Sequence, residues 1–336
     1  MAGRDGAMES GRWSRGERGG AGVGHDGGGV GVGPQVAGAR KEGRGRGGRC
    51  ESEVARIKWR MPTALVVRAA GTNCEIEVCH GFELAGATPE LAHVDALIAA
   101  PERVERADII AFPGGFSYGD DVASGRIFAM KLREKLYPAL RGAAERGVPM
   151  IGICNGFQVL VQVGLLPGLE ASGGSAGGGG WPLVPPRQMV ALSQNKDARY
   201  VCRWVPVKYE RESVCLWTRG LADAWSGDEE RDVQVLPVGH GEGRLATMFH
   251  DVLPKMEARG QVAIRYLDNY NGSEGAVAGI CDPSGRIFGL MPHPDRYLSW
   301  TRHPYWTRLS HGVRKGDTPG LRMFRNAVEA LAGVGR

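Results

Sequence analysis

Between Val148 and Leu166 the chain passes from a short apolar run, VPMIGI, through Gly152-Ile153-Cys154-Asn155-Gly156 into CNGFQVLVQVGLL, which has helical spacing. A buried strand that turns at once into a helix is half of a parallel β-α-β unit, and few folds accept it. The same alternation recurs upstream. Thr63–Arg68 is an apolar run followed by a helical stretch over Glu75–Gly86, Ala107–Phe112 is a second strand ending in PGGFS, and Ile127–Arg146 reads as one helix. Strand signals dominate later, in RYVCRWVPV, VQVLPV, QVAIRYL and AVAGICDPSGRIFGLM, where Asp282-Pro-Ser-Gly285 makes a hairpin turn. The expected fold is α/β, a doubly wound and mostly parallel sheet with additional antiparallel strands.

Reactive chemistry is concentrated at the same strand-to-helix turn. Glycines on both sides of Cys154 admit close backbone packing while the tight turn presents the side chain, the mechanics of a nucleophile elbow. At a helix N-terminus the free N–H groups favour thiolate over thiol. A buried structural cysteine is the competing reading. In GLMPHPDR, His293 and Asp295 follow an apolar strand two positions apart, and in extended chain such side chains point the same way. The carboxylate can then fix the imidazole, and the imidazole can serve as base toward a thiol. In FPGGFS, Gly114 and Gly115 follow a strand, where a bare Gly115 N–H, with the N–H of Asn155, could face a developing oxyanion. The glycine pair is also flexible, and a flipped Gly114–Gly115 peptide would turn a carbonyl toward that position.

Charge argues against a nucleic-acid partner. Residues 1–60 hold 12 of the 42 Lys/Arg and 7 of the 37 Asp/Glu, so 61–336 carries 30 of each and the whole net charge of +5 lies in the first 60 residues. That segment also has 18 of the 53 glycines and little apolar periodicity, and reads as a disordered Gly/Arg-rich extension or a start-site artefact upstream of Met61, with an RNA-binding Arg/Gly tail as the competing reading. The seven cysteines (Cys50, Cys74, Cys79, Cys154, Cys202, Cys215, Cys281) show neither a paired framework nor metal-ligand spacing, as expected of reduced thiols in cytoplasm. No metal site is expected. No apolar run approaches about 18 residues, so no membrane span is expected either. Residues 170–186, EASGGSAGGGGWPLVPP, read as a flexible surface loop.

Taken in order, VVRAAGTNCEIE, FELAGATPELAHV, PGGFSYGDDVASG, GICNGFQVLVQVGLLPG, YVCRWV, GHGEGR, YNGSEGAVAGICDPSGRIFGLMPHPDR and GLRMFRNAVEAL resemble the class I (triad) glutamine amidotransferases. Within that class the resemblance is to the glutaminase subunit (subunit I) of phosphoribosylformylglycinamidine synthase, from Met61 to the C-terminus. It implies the flavodoxin-like fold of the class. It makes Cys154 the nucleophile, His293 the general base and acid, Gly115 and Asn155 the oxyanion hole, and Gln158 a substrate-binding residue. The third triad member is normally Glu; Asp295 is one methylene shorter, so its carboxylate must come closer or work through water.

The resemblance further implies hydrolysis of L-glutamine through a Cys thioester, with ammonia passing to a large synthase subunit in purine biosynthesis. ATP and Mg²⁺ belong to that partner, and a small third subunit bridges the two. No cofactor is implied on this chain, and no nucleic-acid or membrane partner. The alternatives are another class I amidotransferase, a catalytically inactive binding or regulatory copy, and a more distant relative sharing only the elbow cysteine.

Overall fold

The computed structural model describes residues 60–170 and 180–332. Apart from Arg60, the expected N-terminal extension lies outside the described residues, as do residues 171–179 of the expected loop.

Eleven strands are described: β1 (Thr63–Arg68), β2 (Thr88–His93), β3 (Ile109–Phe112), β4 (Met150–Ile153), β5 (Val190–Gln194), β6 (Val201–Tyr209), β7 (Val235–His240), β8 (Glu242–Thr247), β9 (Val262–Tyr266), β10 (Val277–Cys281) and β11 (Ile287–Leu290). The α-helices are α1 (Glu75–Ala85), α2 (Val94–Ala99), α3 (Glu102–Arg106), α4 (Arg126–Lys131), α5 (Tyr137–Glu145), α6 (Asn155–Val163), α7 (Gly227–Val233), α8 (Val252–Ala258) and α9 (Pro319–Ala332). Nine strands form one sheet in the order β2-β1-β3-β4-β11-β10-β9-β6-β7, and β5 pairs with β8 in a second. From β2 to β11 every pairing is parallel, and from β11 to β7 every pairing is antiparallel.

The parallel half explains the continuous apolar runs. Every residue of β3, β4 and β11 is buried, as strands covered on both faces require. α1 and α9 pack through Phe82 and Phe324, whose rings meet edge to face at 5.0 Å. The hairpin between β10 and β11 forms as expected, because Asp282 accepts from the N–H groups of Ser284, Arg286 and Ile287 and closes the turn.

Two expectations change. The single helix over 127–146 is α4, a five-residue π-helical turn at Leu132–Leu136, and α5; Pro138, near the start of α5, has no N–H to continue the ladder. The end of the Gly-rich loop is tied down. Arg133 donates to the carbonyls of Gln162 and Val163 at the C-terminus of α6 and to those of Pro185 and Pro186, and the Tyr137 hydroxyl donates to Pro182.

Candidate active site

Parallel strands end at one edge of the sheet, and four neighbours deliver the reactive groups there. β1 leads to Asn73 and Cys74, β3 to Gly114 and Gly115, β4 to Cys154, and β11 to His293 and Asp295. Because β4 lies between β3 and β11, the glycine turn and the histidine flank the cysteine from opposite sides. The carboxyl ends of parallel strands are where open α/β sheets bind their ligands.

Cys154 stands between β4 and α6 with φ 53° and ψ −107°, a conformation that side-chain-bearing residues avoid and that costs on the order of 1–3 kcal/mol. The flanking glycines permit it. A Cβ on Gly152 would lie 2.5 Å from the Gly156 carbonyl oxygen, and one on Gly156 would overlap the Phe112 carbonyl. The thiol is buried and lies 3.7 Å from the Gly239 carbonyl at the end of β7.

His293 and Asp295 are each 2% exposed, and Nδ1 lies 3.3 Å from Oδ1. They converge by a different route from the one expected. Pro294–Arg296 is a 3-10 turn and not extended chain, because Pro294 fixes φ at its first position. The shorter acid comes close enough for direct contact, but both carboxylate oxygens and Nδ1 lack a hydrogen-bond partner. Burial alone pulls the imidazole pKa down; the charges of Asp295 and Cys154 outweigh it and hold His293 well above the ordinary imidazole range.

The glycine turn is pinned. The Gly114 carbonyl accepts from the N–H groups of Asn73 (3.3 Å) and Cys74 (3.2 Å), and Phe116 N–H donates to Gly71 (2.9 Å). Thr72 and Gly115 therefore form the non-hydrogen-bonded pair of an antiparallel bridge, with the Gly115 N–H on the side away from Thr72. Those two bonds fix the direction of the Gly114 carbonyl toward Asn73 and Cys74. A Cβ on Gly114 would lie 2.6 Å from the His293 ring and 3.5 Å from the Cys154 Cβ, so the turn abuts both.

Gln158 is buried, and both ends of its amide are engaged. Its Oε1 accepts from Asn155 Nδ2 at 3.0 Å and its Nε2 donates to the Glu242 carbonyl, leaving one N–H for another partner. Several neighbours escaped the sequence reading. Arg296 donates to Cys74 Sγ at 3.2 Å, and His240 is held between Asn195 Oδ1 (3.1 Å) and the Tyr270 hydroxyl (2.6 Å). Burial first, and then the charge of His293, push His240 down to about 4. Cys74 lies in GTNCE and His240 in GHGEGR, but no spacing rule assigns them to the site. Ligand atoms of Cys74, His293 and Asp295 lie within 4.8 Å of one another, yet the Arg296 cation stands against the sulfur and opposes a metal ion there.

A strained cysteine beside a histidine–acid pair and a glycine turn, at the carboxyl edge of a parallel sheet, is the arrangement that cysteine-dependent acyl transfer requires. Residues 61–330 match the CobB/CobQ-like glutamine amidotransferase domain. The phosphoribosylformylglycinamidine synthase subunit PurQ of Dehalococcoides mccartyi is 39% identical over 272 residues, covering 79% of this chain and 96% of that one. The PurQ subunit of Methanococcus maripaludis is 36% identical over 293 residues, covering 80% and 97%. The structure of PurLQS from Thermotoga maritima includes a chain 29% identical, with a TM-score of 0.56, covering 81% of this chain and all of that one. The chain belongs to the glutamine amidotransferases, and among them to the PurQ subunits of phosphoribosylformylglycinamidine synthase. No helix among the described residues is long and apolar enough to cross a membrane.

Proposed function

We propose that this chain hydrolyses L-glutamine through a γ-glutamyl thioester on Cys154 and hands the ammonia to a large ATP-dependent synthase subunit. The observation that carries the reading is the strained Cys154, set between the pinned Gly114–Gly115 turn and His293. His293 takes the thiol proton and the sulfur attacks the side-chain carbonyl of glutamine. The tetrahedral oxyanion is met by the N–H groups of Gly115 and Asn155, and neither needs to reorganise when charge develops. His293 then protonates the leaving ammonia, and water hydrolyses the thioester to glutamate. Asp295 holds the imidazolium by charge, and Gln158 offers its remaining N–H to the substrate.

Ammonia made at this edge of the sheet has value only if a partner covers the mouth. The kinship with PurQ subunits and with a chain of a PurLQS structure supports a large subunit that forms phosphoribosylformylglycinamidine, with a small subunit bridging. In this reading ATP and Mg²⁺ are bound by the large partner, this chain carries no cofactor, and the complex works in the cytoplasm. The test is Cys154→Ala in the reconstituted complex. Glutamine-dependent synthesis should vanish while ammonia-dependent synthesis survives, because free ammonia bypasses the thioester. Equal loss of both would make Cys154 a structural residue.

A further inference from the structure

We propose that Asp120 is a positioning residue of this site, which holds the first turn of α6, and with it the Asn155 N–H, through the Asn155 side chain. The inference rests on the proposed role of that N–H as an oxyanion donor.

Asn155 is buried, and its side chain is bound at both ends. Oδ1 accepts from Ser117 N–H at 3.3 Å, while Nδ2 donates to Asp120 Oδ1 at 3.3 Å and to Gln158 Oε1 at 3.0 Å. The amide orientations are forced. The Ser117 N–H can only donate and the Glu242 carbonyl can only accept, so the Asn155 NH₂ must face Asp120 and Gln158. Asp120 completes the arrangement by accepting from Ser124 Oγ at 2.9 Å and from Gly125 N–H at 3.3 Å. One carboxylate thus joins the residue after the nucleophile to the segment that opens α4.

The chain adopts an unfavourable path to bring that carboxylate there. Tyr118, Gly119 and Asp120 have φ of 54°, 70° and 53°, three successive left-handed residues. Each side-chain-bearing residue in that region costs about 1–2 kcal/mol. Such strain persists only where surrounding bonds fix it. Among the described residues no ion pair to Asp120 is found, and its carboxyl is raised by burial despite the bonds from Ser124, Gly125 and Asn155. No cation faces it among the described residues, so it acts through its hydrogen bonds. Its bonds lead to Asn155, and thence to the peptide beside Cys154.

The test compares Asp120→Ala and Asp120→Asn in the full chain by glutamine turnover, alkylation of Cys154 by iodoacetamide, and thermal melting. Alkylation is displacement at a saturated carbon; it needs the reactive sulfur but no oxyanion hole. Loss of one oxyanion donor is worth roughly 10²–10³ in rate, so a donor left loose in Asp120→Ala should lower kcat by about 10- to 100-fold. Alkylation should stay within about 2-fold, since no oxyanion forms in it. Asp120→Asn should recover most of the turnover. Its Oδ1 can accept from Asn155 and Gly125 while its NH₂ donates to Ser124 Oγ. Unchanged turnover in Asp120→Ala, a parallel loss of turnover and alkylation, or an Asp120→Asn as slow as Asp120→Ala would each overturn the proposal. A wild-type chain that leaves glutamine untouched would defeat the parent reading and this one together.

Discussion

Oδ1 of Asp295 lies 3.3 Å from Nδ1 of His293, yet the two do not meet in hydrogen-bonding geometry, and neither carboxylate oxygen has another partner. The acid acts on the imidazole through charge more than through an aligned bond. The 3-10 turn at Pro294–Arg296 brings the carboxylate beside the ring.

A graded loss is therefore expected at these two positions. His293→Ala removes the base and should lower glutaminase kcat by about 10²–10⁴. Asp295→Asn keeps the base and loses only the charge beside it, so its loss should be smaller. Asp295→Glu adds the methylene and should match or modestly exceed the wild-type rate. Steady-state kinetics on the three variants decides this, and a large loss in Asp295→Glu would mean that the backbone is fitted to the shorter acid.

His240 makes stability depend on acid. Its folded pKa of about 4 lies below the ordinary 6.5, so between these values the unfolded chain binds more protons. Its stabilising contribution is complete above about pH 6.5 and is lost as pH falls through about 4. The depression corresponds to about 3 kcal/mol. Denaturation midpoints across that window should fall with pH in the wild type and fall less steeply in His240→Gln, which keeps an amide for the Tyr270 hydroxyl. Parallel curves for the two proteins would remove His240 as the cause.

Gly156→Ala should be among the most damaging single substitutions. The added methyl overlaps the Phe112 carbonyl, which is backbone of a fully buried strand and cannot yield. Overpacking of this kind typically costs 1–3 kcal/mol or more, so a melting temperature lowered by about 5 °C or more is expected. Cys154 alkylation should slow as the elbow shifts. An unchanged melt would show that β3 and α6 separate easily.

A chain beginning at Met61 should fold and turn over glutamine like the full chain. The family match begins at Met61, and the truncation breaks the exposed Arg60–Asp108 pair, worth about 0–1 kcal/mol. Asp108 still accepts from the Thr63 N–H. A melting temperature lower by more than about 5 °C would exceed what one exposed pair explains.

Most of the parallel core was legible because its strands are apolar runs closed by glycine. β1 coincides with the run Thr63–Arg68, and β4 falls within VPMIGI. TPELAH gave no such signal. It forms β2 at the sheet edge, where Pro89 is tolerated and polar residues face solvent, so neither hydrophobicity nor alternation marks it. β5 and β8 were missed for a related reason, since their pairing is a tertiary event between segments about 50 residues apart. In the site, local spacing singled out Cys154, His293 and Asp295, although the last two approach each other through a 3-10 turn and not through extended chain. The engaged amide of Gln158, the Gly239 carbonyl against the thiol, and the Asp120–Asn155 bond were not. Each depends on a partner 35 or more residues away along the chain, which local spacing cannot show.

The central claim is that Cys154 carries the glutamyl group, and trapping that group tests it most directly. Radiolabelled glutamine is mixed with the wild-type chain or its complex, quenched in acid during turnover, and the peptides are separated. Label should reside on the peptide containing Cys154, be released by hydroxylamine as a thioester is, and be absent from Cys154→Ala. Steady release of glutamate with no label on that peptide, or equal labelling of Cys154→Ala, would contradict the account.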